Sequence, residues 1–126
     1  MKYVRFQQED SASYGILMGN DIQVIEGDIF ADHTVTDRTV SVEAVELLAP
    51  CKPTKAVCIG LNYHDHAAEM KFELPKQPLI FMKPSSCLAD PGGAVEYPAI
   101  SANLHYEGEM AIVIGKEARK VPVAKA

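Results

Sequence analysis

The sequence predicts a mainly β chain with minor α content, divided into a small N-terminal β domain over residues 1–50 and a second β-rich region over residues 54–126. Three observations predict it. In the first fifty residues, short apolar runs, Tyr3–Phe6, Tyr14–Met18 and Ile22–Ile25, are separated by polar or Gly-containing turns. Pro50-Cys51-Lys52-Pro53 then punctuates the chain, because two prolines fix φ and remove backbone donors. Beyond that boundary come longer apolar runs, Ala56–Gly60, Leu79–Met82 and Met110–Ile114, rich in Val, Ile, Leu or Phe. Such runs read as strands buried on both faces.

The connecting segments support the same division. Gly19-Asn20-Asp21 is a hairpin signal between two apolar runs. Asp90-Pro91-Gly92-Gly93 is a turn between two of the later ones. Val42–Leu48 reads as either strand or short helix: Glu43 and Glu46 fall at helical spacing, yet β-branched Val is frequent. Asp65 is placed to cap a short Ala-containing helical turn. At the end, Pro122 and the Ala-containing residues after it read as the start of a helix with no room to develop. There is no internal repeat and no low-complexity tract.

Composition narrows the class of function. The 126 residues are 48% hydrophobic and 23% charged, enough to bury a core and unlike a disordered chain. A net charge of −5 disfavours nucleic acid and anionic membrane as partners, since phosphates attract clustered Lys and Arg. The densest basic stretch, Lys116, Arg119, Lys120 and Lys125, reads as a solvated surface. No apolar run has the length of a bilayer span, and Met1–Phe6 lacks the apolar core of a signal peptide. Cys51, Cys58 and Cys87 are odd in number and form no CxxC, so reduced thiols in a cytoplasmic protein are the expectation. Cys58, inside an apolar run, reads as a packing residue.

Two constellations can carry chemistry. In Gly60-Leu61-Asn62-Tyr63-His64-Asp65-His66-Ala67-Ala68-Glu69-Met70, His66 and Glu69 are three apart and share a face of any helical turn there. A carboxylate beside an imidazole holds one tautomer and leaves the other nitrogen free to act as a general base. A surface ion pair is the plainer reading of that spacing. In His105-Tyr106-Glu107-Gly108-Glu109, a strand beginning near Tyr106 projects Glu107 and Glu109 from one side. Two neighbouring carboxylates repel when ionised, and a hard divalent cation turns that repulsion into a site. Two solvated glutamates at an exposed strand end are the alternative. His64, His66 and His105 suggest zinc only weakly, because no Cys partners them at structural spacing. Lys83, at the end of an apolar run and before Pro84, either meets an anionic substrate or reaches out to solvent.

Taken together, three segments resemble the fumarylacetoacetate hydrolase family: Cys58–Met70 with its NYxxHxxE pattern, Pro78–Ser85 with FxKP, and Asn103–Met110 with ExE, followed by Val113-Ile114-Gly115-Lys116. Order and spacing match over about residues 50–122, and the three together are far more specific than ExE alone. The resemblance implies an incomplete mixed β-roll over residues 54–126, preceded by the small β domain that many bacterial members carry. It also implies a homodimer acting on a 2-oxo acid or β-dicarbonyl such as an acylpyruvate or a 2-hydroxyhepta-2,4-dienedioate. The implied cofactor is Mg²⁺ or Mn²⁺, sometimes Ca²⁺, with Glu107 and Glu109 as ligands together with a later aspartate. His66 and Glu69 become the proton-moving dyad on a segment that closes as a lid, and Lys83 a substrate contact. Metal polarisation of the carbonyl and a stabilised enolate serve C–C hydrolysis, decarboxylation and isomerisation alike. No acidic residue follows Glu117, so the sequence reads as a truncated part of such an enzyme, with an inactive fragment, a partner-binding module or a non-catalytic metal-binding module as the alternatives.

Overall fold

The computed structural model describes all residues, Met1–Ala126. The chain is mainly β, with seven strands, one short α-helix and three 3₁₀ turns. It packs as two compact units, one of Met1–Cys51 with Pro91–Ala126 and one of Lys52–Asp90.

The first unit contains a five-stranded antiparallel sheet built from β1 (Tyr3–Gln8), β2 (Ser11–Met18), β3 (Asp21–Gly27), β4 (His33–Ser41) and β5 (Glu46–Leu48), in the order β4-β3-β2-β1-β5. The Gly19-Asn20 turn joins β2 to β3 in register Met18↔Asp21. Gly19 sits at φ +64°, where the first central residue of a tight hairpin turn needs a glycine. Gly15 is required for a different reason. A Cβ there runs into Ile22 Cγ2 and lies 2.7 Å from Gln23 O, so β2 and β3 close only over a hydrogen. Val42–Leu48 resolves into both of its readings: a 3₁₀ turn at Val42–Ala44, capped by Ser41 Oγ accepting from Glu43 N, and then β5.

β4 is the strand that its own sequence hides. His-Thr-Val-Thr-Asp-Arg-Thr-Val-Ser is polar and mostly exposed, as suits an edge strand paired on one side only. Its pairing with β3 breaks between Gln23 and Ile25. Thr36 repairs the break. Its Oγ1 donates to Val24 O at 2.9 Å and accepts from Arg38 N at 3.2 Å, while Gln23 Nε2 donates to Thr36 O. Side-chain bonds thereby replace the missing ladder bonds.

Phe6, Ile22 and Val24 form the fully buried core, with Val4, Leu17, Val40, Val42, Val45 and Leu47 packed around them. Arg5 is buried as well, its Nη1 donating to Ala49 O at 3.4 Å. Its ladder neighbour Tyr14 has its phenol pKa raised, first by burial and then by the negative charges of Cys51 and Asp28, while the Arg5 guanidinium pulls the other way. The native state therefore keeps the Tyr14 proton to higher pH than the unfolded chain does. Stability from this group is intact below the ordinary phenol pKa and falls as pH rises above it. Denaturant melts from pH 8 to 11 should show this alkaline loss, and Tyr14→Phe should flatten it.

The second unit holds β6 (Lys55–Gly60) and β7 (Leu79–Pro84), antiparallel in register Gly60↔Leu79 to Lys55↔Pro84, with helix α1 (His64–Glu69) in the connection between them. The sequence reading of these two runs as strands buried on both faces is corrected here. Each pairs only with the other, and Val57, Ile80 and Met82 are 59–67% exposed. Apolar composition shows a strand's affinity for a core, and only neighbouring layers can supply that core.

A second correction concerns Met110–Ile114. The run forms no strand and its side chains are exposed, because an extended segment becomes a strand only when a partner satisfies its backbone groups. The expected terminal helix is a single 3₁₀ turn, Val123–Lys125, behind Pro122. All three cysteines are free, with Cys58 half-buried. No helix is long and apolar enough to cross a membrane.

Candidate functional site

The site begins where β6 ends. Gly60 leads into Leu61, a non-glycine residue in the left-handed region at φ +52°, and the chain turns there into α1. Tyr63, extended at φ −111° and ψ 128°, occupies the N-cap, and its side chain does not cap the helix. Asp65 is therefore not the cap expected from sequence; it lies in the first turn, where its carboxylate meets the positive end of the helix. The helix ends in a Schellman arrangement: Lys71 N donates to Ala68 O at 3.1 Å and Phe72 N to Ala67 O at 2.9 Å. Lys71, at φ +57°, takes the position usually filled by glycine. Strained non-glycine residues thus bracket α1 on both sides.

One helical turn brings His66 and Glu69 together, with Nδ1 to Oε2 at 3.7 Å. The separation is that of an ion pair, and unliganded proton-transfer pairs often sit this far apart. The His66 side chain is 33% exposed, while that of Glu69 is 79% exposed, so the contact contributes little stability. Its chemical effect is orientation. A carboxylate near Nδ1 favours the tautomer that carries its proton there.

Lys83 lies on β7, opposite Ala56, with its Nζ 6.0 Å from the centre of the Phe81 ring. Phe81 and Lys83 are two apart and share one face of the ladder. The connection carrying α1 leaves from Gly60 and returns at Leu79, whereas Lys83 lies four positions further along β7, about 13 Å at strand rise. The register therefore puts Lys83 toward the far end of the hairpin.

Glu107 and Glu109 lie in the other compact unit, in an exposed stretch without regular structure. The strand expected to begin near Tyr106 does not form, so strand alternation does not fix their common direction. Nothing crowds Gly108 between them, since a Cβ there meets no atom within 4 Å. In kind, the two carboxylates fit a hard divalent cation that keeps most of its water and takes one or two carboxylates from protein. In number they do not close a centre: no group of three or more His, Cys, Asp and Glu is gathered anywhere in the structure. The same observation leaves the three-histidine zinc suggestion without support.

A feature absent from the sequence reading is a groove of about 260 Å³ at the mouth of the β6–β7 hairpin, lined by Ile59–Asn62, His64 and Leu74–Pro78. No residue pattern announces it. It exists because the Gly60↔Leu79 pairing brings together two arms of chain far apart in sequence.

Comparison with known proteins adds the following. Residues 55–126 match the family model described as fumarylacetoacetate (FAA) hydrolase C-terminal, and residues 1–50 one described as Rv2993c-like, N-terminal. Protein Rv2993c of Mycobacterium tuberculosis is 43% identical over 97 residues, covering 77% of this chain and 37% of that protein. A mitochondrial oxaloacetate tautomerase, FAHD1 of Arabidopsis thaliana, is 49% identical over 69 residues, 55% of this chain and 31% of that protein. Among solved structures, the 2-hydroxyhepta-2,4-diene-1,7-dioate isomerase of Mycobacterium marinum superposes with a TM-score of 0.54 at 27% identity, covering 68% of this chain and 33% of that one. The chain spans about a third of the length of the curated relatives it matches.

Proposed function

This chain belongs to the fumarylacetoacetate hydrolase family, and from that premise we propose that it carries the proton-transfer dyad and two metal-binding carboxylates of a divalent-metal-dependent enzyme acting on 2-oxo acids or β-dicarbonyls. The observation that most supports the reading is the His66–Glu69 contact on α1, within the NYxxHxxE segment. Hydrolysis of a C–C bond, isomerisation and decarboxylation share an enolate and remain within the proposal together.

In this reading Glu107 and Glu109 would supply two of the carboxylates that hold Mg²⁺ or Mn²⁺, with Ca²⁺ as a third candidate. The bound cation supplies polarisation of a substrate carbonyl and stabilisation of negative charge beside it. The remaining chemistry belongs to the chain. Glu69 fixes the His66 imidazole with Nε2 as acceptor. Nε2 then takes a proton from water, or from the carbon next to the carbonyl, and returns it to the product. Half-burial of the imidazole limits competing water. Lys83 offers an ammonium to a substrate carboxylate. Three free thiols favour a cytoplasmic setting, and the family resemblance favours a homodimer.

The test is turnover of acylpyruvates and oxaloacetate with Mg²⁺ or Mn²⁺, by the chain alone and by the chain joined to the remaining two thirds of a family relative. Failure of both on every substrate overturns the reading. Metal binding is checked separately by calorimetry. Glu107→Gln should weaken Mn²⁺ by at least about tenfold, and His66→Gln should leave it unchanged.

The exposed faces of the β6–β7 ladder favour a second reading, a partner-binding module without catalysis. A monodisperse monomer that melts cooperatively and turns over substrate excludes it.

A further inference from the structure

We propose that two copies of this chain associate by exchanging the segment Glu109–Val113, which adds as a third strand to the outer edge of β7 in the other copy. The reading above carries a homodimer on resemblance alone. The exchange names the strands that meet, and it rests on surface, register and charge, independently of catalysis.

Surface area calls for a partner. The chain exposes 10995 Å², whereas a compact monomer of 13.8 kDa exposes about 6,600 Å². The excess, roughly 4,400 Å², is several times the ~800 Å² that each partner gives to a standard interface. Two apolar elements contribute to it. One is the β6–β7 ladder, a two-stranded sheet with both outer edges open. The other is Ala111–Ile114, of strand composition yet outside every ladder. They belong to different compact units.

Prolines bound the receiving edge. Pro78 and Pro84 have no N–H to give, so β7 offers an unbroken edge over Leu79–Lys83, equal in length to Glu109–Val113. Antiparallel pairing, the more stable kind, then runs Glu109↔Lys83, Met110↔Met82, Ala111↔Phe81, Ile112↔Ile80 and Val113↔Leu79. One face gathers Met110 (82% exposed) and Ile112 (80%) against Met82 and Ile80 (67% each), with Val57 opposite Met82 on β6. Apolar cross-strand pairs of this kind stabilise a sheet. Charge sets the direction. β6 and β7 carry Lys55 and Lys83 at one end of the ladder and no acidic residue, and Glu109 opens the segment. On β7 the antiparallel direction brings Glu109 to Lys83; on β6 it brings Glu109 to Gly60, away from both lysines. Each copy gives one segment and receives one, so the pair closes about a two-fold axis.

The experiment is size-exclusion chromatography with light scattering on the purified chain, without metal, from about 1 to 200 µM; a dimer that dissociates on dilution is expected. Ile112→Pro removes a backbone donor in an exposed stretch and should weaken dimerisation about tenfold or more. Glu109→Lys and Lys83→Glu should each weaken it about fivefold or more. Mixing these two variants should restore it, because each charge then meets its opposite on the other copy. A monomer at the highest concentration, a dimer indifferent to Ile112→Pro, or charge variants that stay monomeric when mixed overturns the exchange. An open series of larger species overturns it too, since reciprocal exchange closes at two. A dimer with these responses and no turnover keeps the pairing and drops the catalytic reading; turnover by a monomer does the reverse.

Discussion

His66→Gln is expected to lower turnover of an oxo-acid substrate by about 10²–10⁴-fold, the usual contribution of a positioned general base. The substitution removes the acceptor nitrogen and keeps a polar side chain of similar reach. Stability should barely change, because the imidazole is one-third exposed and its contact with Glu69 is a solvated pair at 3.7 Å. Glu69→Gln should fall between wild type and His66→Gln, since it loosens the tautomer and leaves the base in place. The loss should appear in kcat more than in KM, because proton transfer is felt in the transition state. Turnover undiminished in His66→Gln removes His66 from the chemistry. Steady-state kinetics on the chain joined to the rest of a relative's catalytic domain is the measurement.

Phe6→Ala is expected to cost about 3–5 kcal/mol, the range for deleting a buried aromatic ring. Phe6 is 0% exposed and packs with Ile22 and Val24 at the centre of the five-stranded sheet. The compact unit that holds it, Met1–Cys51 with Pro91–Ala126, has a total stability on the order of 4–13 kcal/mol. The variant should therefore lose a large part of it, visible as a strongly lowered midpoint in a thermal or denaturant melt. Val57→Ala on β6 serves as the contrast. That side chain is 59% exposed, and its loss should stay within about 0.5 kcal/mol. Equal costs at the two positions contradict the separation drawn here between a packed sheet and an open ladder.

The sequence alone determined what depends on neighbours along the chain. Alternation and turn chemistry located β1, β2 and β3. Gly19 marked the hairpin, because its conformation excludes most other residues. The three-residue spacing of His66 and Glu69 was enough to bring them together, because one helical turn does so wherever it forms. The combination of NYxxHxxE, FxKP and ExE identified the family, which the match to residues 55–126 establishes independently.

Tertiary structure decided everything that needs a partner distant in sequence. β4 became a strand through pairing with β3 and the bonds of Thr36, although its composition is polar. Met110–Ile114 stayed irregular despite an ideal strand composition, because no ladder receives it. The apolar residues of β6 and β7 lie open, the register sets Lys83 toward the far end of its hairpin, and a groove forms where Gly60 meets Leu79. Local conformation follows from dihedral preferences carried by each residue. Burial, register and concavity are properties of pairs, and their free energy appears only when both partners are in place.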